Sequence, residues 1–242
     1  MYPNSIPHIT ADEMREIDRM MVEDFHIDLV QMMENAGRAL ARLSSDEFLN
    51  SQPSGKSVAV LAGKGGNGGG ALSCARRLSN FGANVHVYLS EDKSEYKGIP
   101  LKQLNILEKL GVKICESCKE NDFDNYDLIV DGLIGYSLKG SPKNLPADMI
   151  IQTNTSISAV VSLDIPSGID PSTGEIFEPS VIADATLTLA LPKKAFLVDA
   201  TKEFVGKLYL ADISVPPQLY SKPPFNYNVD NIFGGSDVIR LR

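Results

Sequence analysis

Hydrophobic positions recur at helical spacing through the first fifty residues of the chain. Thr10 stands before an acidic stretch with Glu13 three residues later, which is the pattern of a capped helix start. Apolar side chains then follow every three or four residues: Met14, Ile17, Met21 and Phe25. A second apolar stripe begins after Asp28 and runs toward Leu43. The spacing predicts two leading helices, and the second stripe predicts a face packed against a larger body.

From residue 57 onward the chain changes to short, continuous apolar runs separated by helical patterns. The runs predict strands at residues 57–62, 85–89, 112–114, 127–131, 159–164 and 185–190, with an edge strand at 207–210. Helical patterns lie between them at residues 71–81 and 100–110. Apolar strands that alternate with helices are typical of a parallel sheet covered by helices on both faces.

The predicted fold is therefore α/β: a Rossmann-like three-layer α/β/α sandwich with a mostly parallel sheet and two leading N-terminal helices. One domain is expected over residues 1–242, with the helices in 1–50, the core in 57–215 and a C-terminal tail in 216–242. The tail is rich in Pro, Tyr and Asn, which predicts a segment that wraps the surface. Four methionines of the leading helices are expected to pack in the core or at a dimer contact rather than form a ligand lid: Met20, Met21, Met32 and Met33.

Composition narrows the functional classes. With 43% hydrophobic and 22% charged residues, the 242-residue chain has the usage of an ordinary globular protein. No apolar run approaches about 18 residues, so no membrane span is predicted. The N-terminus has neither the basic nor the apolar region of a signal peptide, and the odd count of three cysteines favours reduced, cytoplasmic thiols. A net charge of −8 without a Lys/Arg cluster argues against DNA binding.

Glycines crowd the junction after the first predicted strand, with six of them in residues 63–70. The run contains G-x-G-x-x-G at Gly63, Gly65 and Gly68, between a strand and a helix. In that position the backbone can approach a phosphate closely. A plain tight turn needs one or two glycines, so the run favours a phosphate-bearing ligand. No Gly-Lys-Ser/Thr follows, which excludes a Walker A loop.

A classical dehydrogenase is one alternative, because it needs an acidic residue after the second strand to hold a ribose. Glu91 and Asp92 stand there at tolerable spacing. A dehydrogenase usually needs a further substrate domain, for which this chain has little room.

Two aspartates end predicted strands and precede glycine-containing loops. Asp131 closes the 127–131 run, and Asp164 closes the 159–164 run. Each could be a helix cap, but ligands of doubly wound sheets bind beyond the carboxyl ends of the strands. Two such acids beside the glycine loop therefore favour a shared pocket. Carboxylates there are capable of general acid–base work where burial tunes their pKa.

The side chains near this edge suit a cation better than a nucleophile. Oxygen donors come from all three loops, namely Asn67, Asp131 and Ser167, and such donors hold hard cations. The histidines lie elsewhere, so a Ser/His/Asp triad is not predicted: His8, His26 and His86. Cys115 and Cys118 form a single C-x-x-C without a second pair or a nearby histidine, so unreactive thiols rather than a zinc site are expected.

Over nearly its whole length the chain resembles the NAD(P)H-hydrate epimerases. The matching stretches are residues 9–14 (ITADEM), 32–37 (MMENAG), the glycine loop, 130–135 (VDGLIG), 163–170 (LDIPSGID) and 183–189 (ADATLTL), followed by Lys193 and Lys194. The resemblance implies a Rossmann-like enzyme that interconverts the R and S forms of hydrated NADH or NADPH. It also implies a bound potassium ion, a homodimer and a partner dehydratase that converts the S form back to the intact cofactor.

By motif matching, the resemblance assigns potassium to Asn67, Asp131 and Ser167. It assigns the hydrated cofactor to Asp164 and two loops: Gly66, Asn67, Gly68, Gly69, Gly70, Gly135, Tyr136, Ser137, Leu138, Lys139, Gly140 and Ser141. The ring nitrogen next to the reacting carbon can expel the hydroxyl and leave a planar cation that water attacks. Asp164 is the expected acid–base group for these proton transfers.

The glycine loop departs from the family pattern G-P-G-N-N-G-G-D-G. Lys64, Gly66, Gly70 and Ala71 replace Pro, Asn, Asp and Gly, whereas Asn67 remains. Lys64 either adds positive charge to a phosphate or points to solvent. The loss of two polar side chains opens a second reading, in which a non-catalytic member binds a nucleotide, protein or RNA through the same pocket or surface.

Overall fold

The computed structural model of the protein describes residues 6–116, 123–229 and 231–242. Eight strands form one sheet in the order β3-β2-β1-β4-β5-β6-β7-β8: β1 Ser57–Ala62, β2 Asn84–Leu89, β3 Lys113–Cys115, β4 Leu128–Gly132, β5 Ala159–Leu163, β6 Ala185–Leu189, β7 Lys207–Ala211 and β8 Val238–Arg240. All neighbouring strands are parallel except β7 and β8, which are antiparallel. The predicted, mostly parallel sheet is confirmed.

Helices connect the strands and precede them: α1 Ala11–Glu23, α2 Leu29–Phe48, α3 Gly66–Asn80, α4 Gly98–Lys109, α5 Asn144–Thr155, α6 Lys202–Val205 and α7 Pro217–Tyr220. The capping box predicted for α1 is present, because the Thr10 amide donates to the Glu13 carboxylate at 2.7 Å and the Glu13 amide donates to the Thr10 hydroxyl at 3.2 Å. In the part of the chain that the structure describes, we find no helix long and apolar enough to cross a membrane.

Alternate residues of the central strands face two different helix layers. On one face, Val60 and its neighbours pack with buried side chains of α2, α3 and α4, such as Leu72. On the other face, Ala59 and Leu61 pack with α5 through Met149 and Ile150. This alternation confirms the predicted helix cover on both faces of the sheet.

Two predictions about these elements are wrong: the position of one strand in the sheet and the start of one helix. The strand predicted at the edge, β7, is an inner strand, because β8 pairs with it through Ile239 opposite Leu210. A three-residue strand carries too little pattern to be read from sequence. The predicted helix at residues 71–81 begins at Gly66, because tertiary contacts override the poor helix propensity of its glycines.

The C-terminal tail packs against the leading helices. Tyr220 and Phe225 join a buried cluster with Ile17 and Met21 of α1. The Tyr227 hydroxyl also donates to the Glu13 carboxylate at 2.8 Å. The tail therefore holds α1 in place at the carboxyl edge of the sheet.

Candidate active site

A cavity of about 780 Å³ opens at the carboxyl edge of the sheet. Its lining includes residues from the start of α3, from the loops after β4 and β5, and from α1 and α2. The edge lies where the strand order reverses between β1 and β4, which is the usual ligand position in such sheets. Of the two strand-end aspartates that were predicted to share a pocket, Asp164 lines this cavity, whereas Asp131 is fully buried and is not among the lining residues.

The glycine run has two parts with different surroundings. A Cβ on Gly68 would lie 1.6 Å from the Gly63 carbonyl oxygen, and one on Gly63 would lie 1.9 Å from the Leu133 oxygen. These glycines are therefore required by packing between the α3 start and the β4 loop. Gly65 and Gly66, in contrast, are exposed and line the cavity. The free amides of the first turn of α3 provide donors for an anion at that point.

Asp164 lies in the cavity wall as half of a buried ion pair. Its side chain is 4% exposed, and that of Lys193 is 0% exposed, with Nζ 2.5 Å from the aspartate Oδ1. Lys193 Nζ also donates to the Leu189 carbonyl at 2.9 Å and the Leu191 carbonyl at 3.2 Å. Burial of the lysine is therefore compensated by one carboxylate and two carbonyl oxygens.

Only one oxygen of Asp164 is engaged by the described residues. Lys193, Thr188 and the Leu189 amide all contact Oδ1. Oδ2 is thus the oxygen left for a ligand in the cavity. The backbone of Asp164 has a φ of +68°, in the left-handed region, and the Asp164 amide donates to the Leu187 carbonyl at 2.7 Å. Lys193 was not predicted as a site residue, because a sequence does not reveal which lysine is buried.

Asp131 is fully buried below the cavity. Its carboxylate accepts hydrogen bonds from Ser162 Oγ at 2.8 Å, from the Ser167 amide at 2.9 Å and from Ser167 Oγ at 2.6 Å. Burial raises the pKa of the Asp131 carboxyl, and the bonds from Ser167 and Ser162 oppose that shift. Within residues 6–116, 123–229 and 231–242, we find no basic side chain paired with it.

The predicted cation ligands come together in part. Asp131 and Ser167 are in direct contact, and the Ile134 amide donates to Ser167 Oγ at 2.9 Å. Asn67 packs on the same loop, since a Cβ on Gly135 would lie 3.1 Å from its Cγ. Its Nδ2 is buried and has no hydrogen-bond partner in the described structure. The buried Asp131 carboxylate and the Ser167 hydroxyl in contact with it are oxygen donors that fit a hard cation, and the ligand atom of Asn67 would be its Oδ1, because Nδ2 is a hydrogen-bond donor.

No cluster of three or more His, Cys, Asp or Glu side chains suited to a metal occurs among the described residues. Cys115 is half-buried, whereas Cys118 of the predicted C-x-x-C lies outside those residues. His86 contacts the Tyr126 hydroxyl at 2.5 Å, away from the cavity lining.

Only some residues of the two predicted substrate loops line the cavity. Of the glycine-loop residues, Gly66, Asn67 and Gly70 line it, and Gly68 and Gly69 are buried in packing contacts. Of the second loop, the residues that line it are Gly135, Tyr136 and Ser137. The rest of that loop lies outside the lining, and its contact with a substrate stays a prediction: Leu138, Lys139, Gly140 and Ser141.

Lys64 lies at the cavity rim and faces two acids. Its Nζ is 3.7 Å from Glu91 and 3.6 Å from Glu95, with a side chain that is half exposed. Lys64 is thus partly open to solvent and paired with acids, and its contact with a phosphate stays a prediction. Asp92, the other acid of the dehydrogenase alternative, accepts from the Ser94 amide at 2.8 Å and so caps a short turn.

Sequence reasoning missed Asp18, which lines the cavity from α1. The Tyr136 hydroxyl donates to its Oδ2 at 2.5 Å. Burial raises the pKa of Asp18 and the charge of Asp164 adds to the shift, whereas the Tyr136 bond lowers that pKa. One signal was available: Asp18 lies four residues after buried Met14 and therefore on the same helix face. Met32 and Met33, predicted as packing residues only, also line the cavity.

Known proteins are similar to this chain in sequence and in fold. The family described as "YjeF-related protein N-terminus" matches residues 29–195. The NAD(P)H-hydrate epimerase of Dehalogenimonas lykanthroporepellens is 40% identical over 90% of this chain and 86% of its own length, and that of Rhodopirellula baltica is 34% identical over 88% and 87%. The bifunctional NAD(P)H-hydrate repair enzyme Nnr of Moorella thermoacetica is 33% identical over 90% of this chain and 42% of its own length.

A solved structure has the same fold. The yeast protein ynu0 superimposes with a TM-score of 0.78 at 25% identity, over 98% of this chain and 100% of the yeast chain. The similarity therefore includes the leading helices and the tail as well as the sheet.

Proposed function

The chain belongs to the YjeF-related N-terminal family, as the NAD(P)H-hydrate epimerases among its relatives do, and from this we propose that it interconverts the R and S forms of hydrated NADH and NADPH. The observation that most supports this activity is the buried Asp164–Lys193 pair in the wall of the cavity. In the proposal, the carboxylate that Lys193 holds in place faces the positive charge that develops on the substrate ring.

The reaction needs a proton donor, a proton acceptor and a negative electrostatic field. The lone pair of the ring nitrogen forms a double bond to the hydroxyl-bearing carbon as the carbon–oxygen bond breaks. The oxygen keeps the bonding electrons, takes a proton and leaves as water. The planar cation then adds a water molecule, which loses a proton, and the new hydroxyl lies on either face.

Asp164 supplies two of these requirements in the proposal. Its carboxylate, fixed by Lys193, stabilises the planar cation in a cavity where water does not screen the charge fully. Its unengaged Oδ2 exchanges a proton with the oxygen on the face of the ring that it contacts. Lys193 is a positioning residue, because it touches Asp164 and two carbonyl groups rather than the reacting atoms.

The phosphates of the substrate are proposed to bind at the start of α3. Gly65 and Gly66 leave its first turn open, and the free amides there favour an anion. The charge of Lys64 is shared with Glu91 and Glu95, so we assign the main phosphate contacts to backbone amides.

Potassium is proposed to bind Asn67, Asp131 and Ser167. When bound, the ion would supply positive charge that offsets the buried Asp131 carboxylate and would fix the loops after β1, β4 and β5 relative to one another.

Two relatives are named bifunctional NAD(P)H-hydrate repair enzymes, and the match to this chain covers 42% and 40% of their lengths. A dehydratase that consumes the S form is therefore the proposed functional partner.

The test is an epimerase assay on Asp164→Asn. The R form of hydrated NADPH is converted by the protein, and an S-specific dehydratase reports the product above the spontaneous rate. We expect Asp164→Asn to lower kcat/KM about 10²–10⁴-fold, the usual contribution of a general acid–base group. Asp199→Asn, at a side chain that is 90% exposed, is the matched control and should keep the wild-type rate. Full activity of folded Asp164→Asn would contradict the assignment.

A further inference from the structure

Asp18 and Tyr136 form a second acidic group in the cavity. Asp18 comes from α1, whose residues Met14, Arg15, Asp18, Arg19 and Val22 line one wall at helical spacing. Asp164 follows the end of β5, so the two acids enter the cavity lining from different elements. The two carboxylates are near enough for the charge of Asp164 to raise the pKa of Asp18, a shift that burial dominates. They are not hydrogen-bonded to each other in the described structure.

The stereochemistry of epimerisation calls for two such groups. A planar ring held in one pose presents one face to each wall of its site. The hydroxyl leaves from one face, and inversion requires water to add to the other. A single carboxylate in one wall therefore reaches the oxygen on only one of the faces.

We infer that Asp18, held by the Tyr136 hydroxyl, is the catalytic acid–base residue for the ring face that is turned away from Asp164. This inference rests on the proposed epimerase function. In one direction, protonated Asp18 gives its proton to the hydroxyl on its own face, and the carbon–oxygen bond breaks with its electron pair going to the departing water. A second water adds on the other face and gives a proton to Asp164. One water enters and one leaves, and proton exchange with solvent returns Asp18 to its acid form and Asp164 to its carboxylate before the next turnover in the same direction.

The surroundings of Asp18 favour this role over a structural one. Arg15 and Arg19 share its cavity wall but are paired with exposed acids of α1, namely Asp12 for Arg15 and Glu16 and Glu23 for Arg19. The remaining charged or titratable groups that act on Asp18 or feel its charge are Tyr136, Asp164, Lys193 and Tyr220. No cation is paired with Asp18 in the part of the chain that the structure describes, so a protonated form is accessible to it.

Exchange of the substrate hydroxyl oxygen with solvent water reports on catalysis at each face of the ring separately. In water labelled with ¹⁸O, wild-type protein should introduce label and invert configuration for both epimers. Asp18→Asn leaves Asp164 to expel and replace the hydroxyl on its own face. We therefore expect this variant to exchange label into one epimer while inversion falls at least about 10²-fold, as measured by chiral chromatography with mass spectrometry. Asp199→Asn should match wild type.

Tyr136→Phe provides a second, pH-dependent readout. The Tyr136 hydrogen bond stabilises ionised Asp18 and so holds its pKa below the level that burial alone would give. Without it the acid form persists to higher pH. For the epimer whose hydroxyl faces Asp18, the alkaline limb of kcat/KM should move up by about one pH unit.

The outcomes distinguish a failure of the role proposed for Asp18 from a failure of the epimerase function. Wild-type inversion by folded Asp18→Asn, or equal loss of exchange and inversion for both epimers, would overturn the role of Asp18 and leave the epimerase function standing. If Asp18→Asn does not fold, an unshifted alkaline limb in Tyr136→Phe overturns it instead. Absence of any acceleration by wild-type protein would refute the epimerase function, and this inference with it.

Discussion

At the scale of residues, the chemistry depends on how Lys193 is buried. An ammonium group removed from water is strongly destabilising unless it is paired and hydrogen-bonded. Here Asp164 provides the counter-charge, and the Leu189 and Leu191 carbonyls accept two further hydrogen bonds. The lysine in turn fixes Oδ1 of Asp164, and Oδ2 has no hydrogen bond from the described residues. The same pair is therefore a structural element and the proposed electrostatic centre of the site.

The adjacent lysines allow a matched comparison. Lys193→Met keeps the side-chain length but leaves the Asp164 carboxylate buried without its cation, so the free energy of unfolding should fall by about 3–5 kcal/mol. Lys194 is 45% exposed and 3.6 Å from Glu13, so Lys194→Met should change it by less than about 1 kcal/mol. Urea unfolding of both variants measures the difference. Equal midpoints for the two variants would show that the buried pair does not stabilise the fold.

At the scale of elements, α3 begins inside the glycine run. Sequence reasoning treated residues 63–70 as a ligand loop because a plain turn needs only one or two glycines and this run has six. Gly68 instead packs against the backbone of Gly63, and only the outer part of the run borders the cavity. A glycine cluster thus combines two requirements that composition does not separate: close packing of backbone and an open approach for a ligand.

Two alanine substitutions distinguish these requirements. A Cβ at Gly68 meets the Gly63 carbonyl oxygen at 1.6 Å and its carbon at 2.5 Å, so Gly68→Ala forces backbone to move. We expect it to lower the free energy of unfolding by about 1–3 kcal/mol or more. Gly65 has nothing within 4 Å of the same position, so Gly65→Ala should stay within about 0.5 kcal/mol of wild type. Thermal unfolding of the two variants gives the comparison, and similar losses would contradict the packing argument.

Elements with a strong local pattern could be predicted, and those set by tertiary contacts could not. The apolar runs of the inner strands and the capping box of α1 are local signals, and both are confirmed. The pairing of β8 depends on a neighbour distant in sequence. In the site, the strand ends placed Asp131 and Asp164 correctly at one edge, because parallel strands share their carboxyl ends. Asp18 and Lys193 were missed, since their burial is decided by other elements.

At the scale of the whole molecule, the cavity is assembled from segments far apart in the chain. Asp18 lines the cavity from α1, the tail packs on α1, and Ile213 after β7 also lines the cavity. Asp131 joins three segments, because it accepts hydrogen bonds from Ser162 of β5, from Ser167 in the loop after β5 and from the Leu133 amide in the loop after β4. An ion bound at this convergence would join the loops and should therefore stabilise the entire fold.

Potassium is expected to raise the thermal stability of the protein, because a ligand that binds only the folded state stabilises it by mass action. At 100 times its dissociation constant the gain is about 2.7 kcal/mol, which corresponds to about 5–10 °C for a chain of this size. The comparison is made between potassium chloride and choline chloride at equal ionic strength, so that screening is the same. Asp131→Asn removes the proposed ligand charge and should abolish the difference between the salts, whereas Asp199→Asn, with its exposed side chain, should preserve it. Equal Tm values for wild-type protein in the two salts would refute the cation site, and a difference that survives in Asp131→Asn would move it elsewhere in the molecule.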